Sequence, residues 1–325
     1  MGVLGRTLPG LAILAVLAVF ARAVGAVTPM NPLVAAIASG VLVATVVSVP
    51  AWAEPGLDLH KLLLETGIVL LGVQLTVGQL ATTGLVVVGL ATAVVVTGVL
   101  FIELVGRRVA IEPKTRALLA AGASVCGVSA VLAVAGSIDS DEADISYVAG
   151  TVLLFDAVTL VVFPLVGAQL GVPDRSFGVW AGLSLFSTGP AAAVGFAVSE
   201  TAGQWATVTK LVRNTFIGVL AVAYAVYYAT DGESADVTTI WSRFPKFLVG
   251  FLFLAVVVNV GIVDTATQTT LARTGDWLFT LAFVGLGIEL NPRRLRATGL
   301  RPVAVVVAHL LVVSLATLAA VKVLL

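Results

Sequence analysis

The chain has 325 residues, 59% of them hydrophobic and only 11% charged, and its Lys/Arg and Asp/Glu balance to zero net charge. A soluble domain carries about 25% charged residues, so this composition, with a mean hydropathy of +1.10, describes a polytopic membrane protein. Zero net charge argues against a nucleic-acid partner, the lone cysteine excludes an internal disulfide, and two histidines beside it exclude a conventional zinc site.

Apolar stretches long enough to cross a bilayer are expected at 7–24, 30–49, 60–80, 84–105, 115–138, 145–170, 177–199, 203–229, 244–263, 274–290 and 302–325, eleven in all. Nothing between them reads as a soluble domain or a long linker. The expectation is an all-α integral membrane fold, one polytopic domain over 1–325 with approximate halves 1–170 and 171–325. The first stretch, with Arg6 before it and Ala21-Arg22-Ala23 after it, resembles a signal peptide. Reading it as an uncleaved span is preferred, since the spans that follow need no separate export signal.

Positive charges test the topology. With the N-terminus cytoplasmic, the inner side receives Arg6, Lys61, Arg107, Arg108, Lys114, Arg116, Arg175, Arg243, Lys246, Arg293, Arg294, Arg296 and Arg301. The outer side receives Arg22, Arg273 and Lys322, and the acidic loop from Asp139 to Asp144. A multi-pass protein of the cell membrane, N-terminus in and C-terminus out, is expected.

Leu71-Gly-Val-Gln-Leu-Thr-Val-Gly-Gln-Leu-Ala-Thr-Thr-Gly-Leu85 aligns without gaps on Leu286-Gly-Ile-Glu-Leu-Asn-Pro-Arg-Arg-Leu-Arg-Ala-Thr-Gly-Leu300, with seven of fifteen positions identical. These copies fall in spans that run in opposite directions, the signature of an inverted-repeat transporter. A weaker echo links Gly122-Ala-Ser124 to Gly182-Leu-Ser184.

Those echoes open the two stretches richest in small and polar residues at membrane depth. The first is Gly122-Ala-Ser124-Val-Cys126-Gly127-Val-Ser129, and the second is Gly182-Leu-Ser184-Leu-Phe-Ser187-Thr188-Gly189-Pro190. Small residues alone can mean close helix packing, and a Gly-Pro break can be a plain kink. The functional alternative is a pair of discontinuous helices whose freed N–H groups face a cavity and bind an anion.

Lys210 and Arg213 lie three residues apart inside an apolar stretch, on one helix face. A charge at the bilayer centre costs roughly 2.5–3.5 kcal/mol on insertion scales, so this pair needs a negative partner, either a carboxylate or a passing anion. Asp156 is the carboxylate expected to pair with them or to carry a coupling ion. Ser124, Cys126, Ser129, Ser184, Ser187, Thr188 and Asn214 complete the expected substrate-binding set. Glu65, Gln74, Glu103, Asn259 and Glu289 are weaker polar candidates, and His309 reads more readily as a packing residue than as a relay.

Together, Gly67-Ile-Val-Leu-Leu-Gly72, Gly122-Ala-Ser-Val-Cys-Gly-Val-Ser-Ala130, Phe177-Gly-Val-Trp-Ala-Gly182, Ala206-Thr-Val-Thr-Lys-Leu-Val-Arg213 and Arg293-Arg-Leu-Arg-Ala-Thr-Gly299 resemble the sulfate exporter family of YeiH-like conserved membrane proteins. That resemblance implies the clan of bile-acid-type symporters and cation/proton antiporters, with inverted repeats and broken helices meeting at mid-membrane. It also implies a sulfur oxoanion as substrate, and the wider clan commonly forms homodimers. Family members often carry His-Asp or His-Glu after the Gly-x-Ser of the second break; here Phe186-Ser187 stands there, so any proton coupling must differ.

The reading that follows is a secondary transporter of a small anion in the lipid bilayer. No nucleotide or cofactor motif is present, and uniport, H+ and Na+ coupling are all compatible with the residues. The alternative is a cation- or proton-coupled ion transporter built on Asp156. An intramembrane enzyme is disfavoured because Gly122-Ala-Ser124 is no nucleophile elbow. A scaffold without transport leaves two buried cations unexplained.

Overall fold

The computed structural model describes residues 3–28, 30–47, 50–74, 77–138, 140–228, 246–290 and 300–325. Asp139, Arg243, Arg293, Arg294 and Arg296 of the charge tally lie outside the described residues, as does most of the second half of the Leu286–Leu300 repeat copy. The described residues are helical, with no strand among them. Helix occurs in all eleven expected stretches. Among the described residues, six helical runs are long and apolar enough to cross a membrane in one piece, and four more are apolar but shorter.

Helices α1 to α5 run Val3–Val27, Pro32–Val46, Glu54–Leu57, His60–Leu71 and Val77–Arg108; α6 to α10 run Pro113–Ala121, Val128–Ile138, Glu142–Gln169, Asp174–Ser184 and Thr188–Val198. Then α11 to α15 run Glu200–Asn214, Phe216–Tyr228, Lys246–Asn259, Thr265–Glu289 and Leu300–Leu324. Local chemistry sets their starts. Asn31 caps α2, its side-chain oxygen accepting the Leu33 N–H at 2.8 Å, with Pro32 in the first turn. Ser199 caps α11 through the Ala202 N–H at 3.1 Å, and Asp264 caps α14 through the Thr267 N–H at 2.6 Å.

The chain divides into two compact units, Met1–Thr82 with Lys246–Arg294, and Thr83–Pro245 with Leu295–Leu325. The halves 1–170 and 171–325 expected from sequence are a different division of the chain.

In the first unit, glycines bring backbones into direct contact, as small residues do between membrane helices. A Cβ on Gly10 of α1 would strike Gly56 of α3 at 2.6 Å, and one on Gly40 of α2 would meet Gly287 of α14 at 3.0 Å. His60 of α4 is buried; its Nδ1 lies 2.9 Å from Leu57 O and its Nε2 3.1 Å from Glu289 Oε2. Lys61 Nζ pairs with the other oxygen of Glu289 at 3.1 Å. Glu289, one of the weaker polar candidates from sequence, is thus the acceptor for two neighbours on α4.

The second unit holds the expected site. Around it, Leu118, Val131, Phe155 and Phe186 belong to one apolar cluster and Phe177, Trp180, Leu183 and Trp205 to another. Glu103 of α5 accepts from Arg116 Nε at 2.5 Å and from the Tyr224 hydroxyl at 2.8 Å, so a buried arginine counted with a loop from sequence sits in a satisfied ion pair.

Candidate functional site

Both Gly/Ser-rich stretches are broken helices. The first loosens from α6 into one π turn over Gly122–Cys126, then reverses direction locally at Gly127, with φ +68°, before α7 begins. That backbone conformation suits glycine, which has no Cβ to clash. The second ends α9 at Ser184, passes through extended Leu185, and restarts as α10 behind Ser187. Pro190 falls in the first turn of α10, where its missing N–H costs nothing. Of the two readings of Gly-Pro, plain kink or discontinuous helix, the described backbone is the second: an interruption followed by a new helix start.

Glycines on α9 and α10 press both against α11. A Cβ on Gly182 would approach Ala206 O at 2.6 Å, and one on Gly195 would approach Ala202 O at 2.7 Å. This contact delivers Lys210 and Arg213, two turns further along α11, to the two breaks. Both side chains are fully buried.

Their hydrogen bonds go to backbone carbonyls. Lys210 Nζ donates to Val125 O at 2.7 Å and to Leu185 O at 2.8 Å. Arg213 Nη1 donates to Gly182 O at 3.1 Å, Leu183 O at 2.7 Å and Leu185 O at 2.8 Å. Its Nη2 donates to Ala123 O at 3.2 Å and Ser124 O at 2.8 Å, and its Nε to Ser124 O at 3.3 Å. A helix end carries orphaned carbonyls and the negative pole of the helix dipole. The two cations meet both needs at both breaks.

The sequence echo acquires a physical meaning here. Counting three residues on from Gly122 and from Gly182 gives Val125 and Leu185, the two carbonyls that share Lys210. Ala123 and Leu183, one residue on, share Arg213. Gly127 and Ser187, five on, touch: a Cβ on Gly127 would run into the Ser187 hydroxyl and lie 3.2 Å from its Cα. The breaks cross as equivalent partners about the α11 cations.

Asp156 is also fully buried, on α8. Its Oδ1 accepts the Ser187 N–H at 3.2 Å, which places a carboxylate at the positive start of α10. Its charge also acts on Lys210, the neighbour that sequence reasoning assigned it. The remaining expected residues separate by accessibility. Ser129 is exposed, Ser187 and Thr188 are half-buried, and Ser124, Cys126, Ser184 and Asn214 are buried. Asn214 Nδ2 donates to Thr188 Oγ1 at 3.0 Å, and Ser184 Oγ pairs with Thr317 Oγ1 of α15 at 3.0 Å. The accessible polar groups thus gather at the N-terminal ends of α7 and α10, while the cations hold the carbonyl ends.

Among buried polar atoms with no partner, Ser124 Oγ, Thr209 Oγ1, Asn214 Oδ1 and both ring nitrogens of His309 belong to the helices that form this crossing. His309 was read from sequence as a packing residue. No spacing signal could have joined it to Ser124, since only the folded packing of α15 on the first break does so.

The model of the family described as conserved hypothetical protein 698 matches residues 9–306. The chain belongs to that family. It is 30% identical over 280 residues to a UPF0324 membrane protein of Nitratidesulfovibrio vulgaris, covering 82% of this chain and 76% of that one. A UPF0324 membrane protein of Rhodopirellula baltica is 29% identical over 80% of this chain, which spans 51% of that relative's length. One of Corynebacterium glutamicum is 27% identical over 84% of this chain and 79% of its own. No solved structure matches. Membership agrees with the YeiH-like resemblance, and the relatives' names describe membrane proteins without assigning a reaction.

Proposed function

We propose that this chain is a secondary transporter of a small anion, such as a sulfur oxoanion, bound where the two broken helices cross. The observation that supports this is the arrangement of charge at the crossing. Lys210 and Arg213 cancel the carbonyl ends of α6 and α9, so the positive poles at the starts of α7 and α10 remain for anions, the second of them met by the Asp156 carboxylate. Ser129, Ser187 and Thr188 stand at those starts and are reachable, and they would hydrogen-bond the ligand's oxygens. Asn214 would hold Thr188 in place. Asp156 would act as a tethered anion on the α10 start in the empty state and give way when substrate, or a coupling proton, arrives. Cys126 and Ser184 would shape the walls rather than bind charge.

The inverted repeat, eleven crossings, a cytoplasmic N-terminus in the cell membrane and a homodimer belong to the same proposal. A second reading, cation or proton transport on Asp156, draws on the full burial of that carboxylate. Proteoliposomes loaded in turn with sulfite, sulfate, thiosulfate and a carboxylate separate the two. Flux of one anion, with KM raised in Thr188→Ala, supports the anion reading. Absence of flux of every anion under proton and sodium gradients overturns it, and ion flux abolished by Asp156→Asn would then favour the second.

A further inference from the structure

His309 sits in the middle of α15, 1% exposed, with neither ring nitrogen partnered. A neutral imidazole always offers one donor and one acceptor, and a buried polar group left without a partner is costly. Ser124 Oγ, in the π turn of the first break, is fully buried and equally without a partner.

These two unpartnered atoms lie close together. A Cβ built on Gly98 of α5 would lie 2.7 Å from His309 Nε2 and 2.7 Å from Ser124 Oγ, so the two atoms are at most twice that, 5.4 Å, apart. One oxygen atom at ordinary hydrogen-bond distance from each, about 2.8 Å, spans such a gap. Only glycine at position 98 leaves both atoms unobstructed. The ring is fixed between Phe101 of α5, at 6.0 Å between centroids, and Phe186 of the second break, at 6.1 Å. The charge that acts on it is the Arg213 guanidinium, a neighbour that favours an electron-rich guest.

We propose that Ser124 Oγ and His309 Nε2 form a subsite for a single oxygen atom, occupied by water in the empty protein and by an oxygen of the transported anion during turnover. The second half rests on the anion-transport reading; the first half does not. Water bridging two buried polar atoms is the ordinary remedy for such a pair. The subsite also ties α15, through one removable atom, to both breaks: Ser124 lies in one and Phe186 in the other.

The chain has two histidines, so 15N-histidine NMR of the full-length protein in nanodiscs gives two rings to assign, with His309→Gln identifying the second. The expected result is a hydrogen-bonded Nε2 at His309 that changes in Ser124→Ala and shifts again when the transported anion saturates the protein. Ser124→Ala removes a hydroxyl with no partner in the protein itself, so it should fold as the parent does. It should raise KM roughly tenfold, the effect of one charge-assisted hydrogen bond, with kcat changed less. A His309 Nε2 without a hydrogen bond in the parent overturns the subsite, whatever the flux assay gives. A hydrogen-bonded Nε2 indifferent to saturating anion leaves water alone there and overturns the substrate half. A parent that moves no anion defeats the functional reading, and the spectrum of the empty protein still judges the subsite.

Discussion

Replacing Lys210 with methionine removes the ammonium while nearly keeping the volume, and it separates two roles that transport assays alone would merge. If Lys210 braces the breaks, the change strands Val125 O, whereas Leu185 O keeps its 2.8 Å contact with Arg213. A hydrogen bond to a charged group contributes about 1.5–3 kcal/mol. Hydrogen bonds between intact membrane helices average nearer 0.6 kcal/mol, because the separated helices find other partners. A carbonyl at a helix end inside the fold has no such alternative, so the larger figure applies to Val125 and part of it to Leu185. Relief from burying an ammonium offsets some of the loss. The net expectation is about 2–4 kcal/mol, read as a melting temperature several degrees lower in detergent, with transport lost together with stability. The carbonyl contacts predict that removing Lys210 costs the fold as well as transport. A Lys210→Met protein that melts with the parent yet transports nothing would refute the brace and make Lys210 a direct ligand.

The other predictions concern the crossing and the first unit. Gly127→Ala forces a Cβ into a backbone with φ +68° and against Ser187; a cost of about 1–3 kcal/mol from the backbone alone should show as poor yield or early melting, and parent-like behaviour would mean the breaks are not so closely crossed. Asp156→Asn keeps an oxygen for the Ser187 N–H but removes the charge, so the fold should survive while substrate affinity or its pH dependence changes in vesicle flux. Parent-like flux at every pH would remove Asp156 from the cycle. Thr188→Ala should raise KM a few-fold and leave melting within about 1 kcal/mol of the parent, since its hydroxyl is half-buried and bonded only to Asn214 among the contacts described. Glu289→Gln weakens two contacts to α4 at once and should destabilise by about 1–2 kcal/mol without altering KM; a specific KM effect would bring the first unit into substrate binding.

The crossing was half legible in the sequence, and the boundary of legibility has a physical cause. Glycine, serine and proline concentrated at membrane depth mark where a helix can be interrupted, so both breaks were among the places to look, beside close packing and a plain kink. Two cations on one face of α11 announce a buried negative partner. What sequence could not say is that the partner is backbone. A carboxylate or a substrate anion leaves a residue or a vacancy to look for, but every residue has a carbonyl, and only the fold decides which ones lose their helical donors. Ala123, Val125, Leu183 and Leu185 carry no side-chain chemistry, yet their carbonyl oxygens are the partially negative lining that receives Lys210 and Arg213. The same reasoning explains Gly98 and His309: they lie more than two hundred residues apart in the chain, and each looks ordinary until α5 and α15 bring them to the same unpaired serine. A broken-helix site is therefore best sought by counting which helix ends need a cation, because that need is what places Lys210 and Arg213 and, by leaving the opposite ends uncancelled, what gives the start of α10 its pull on the Asp156 carboxylate.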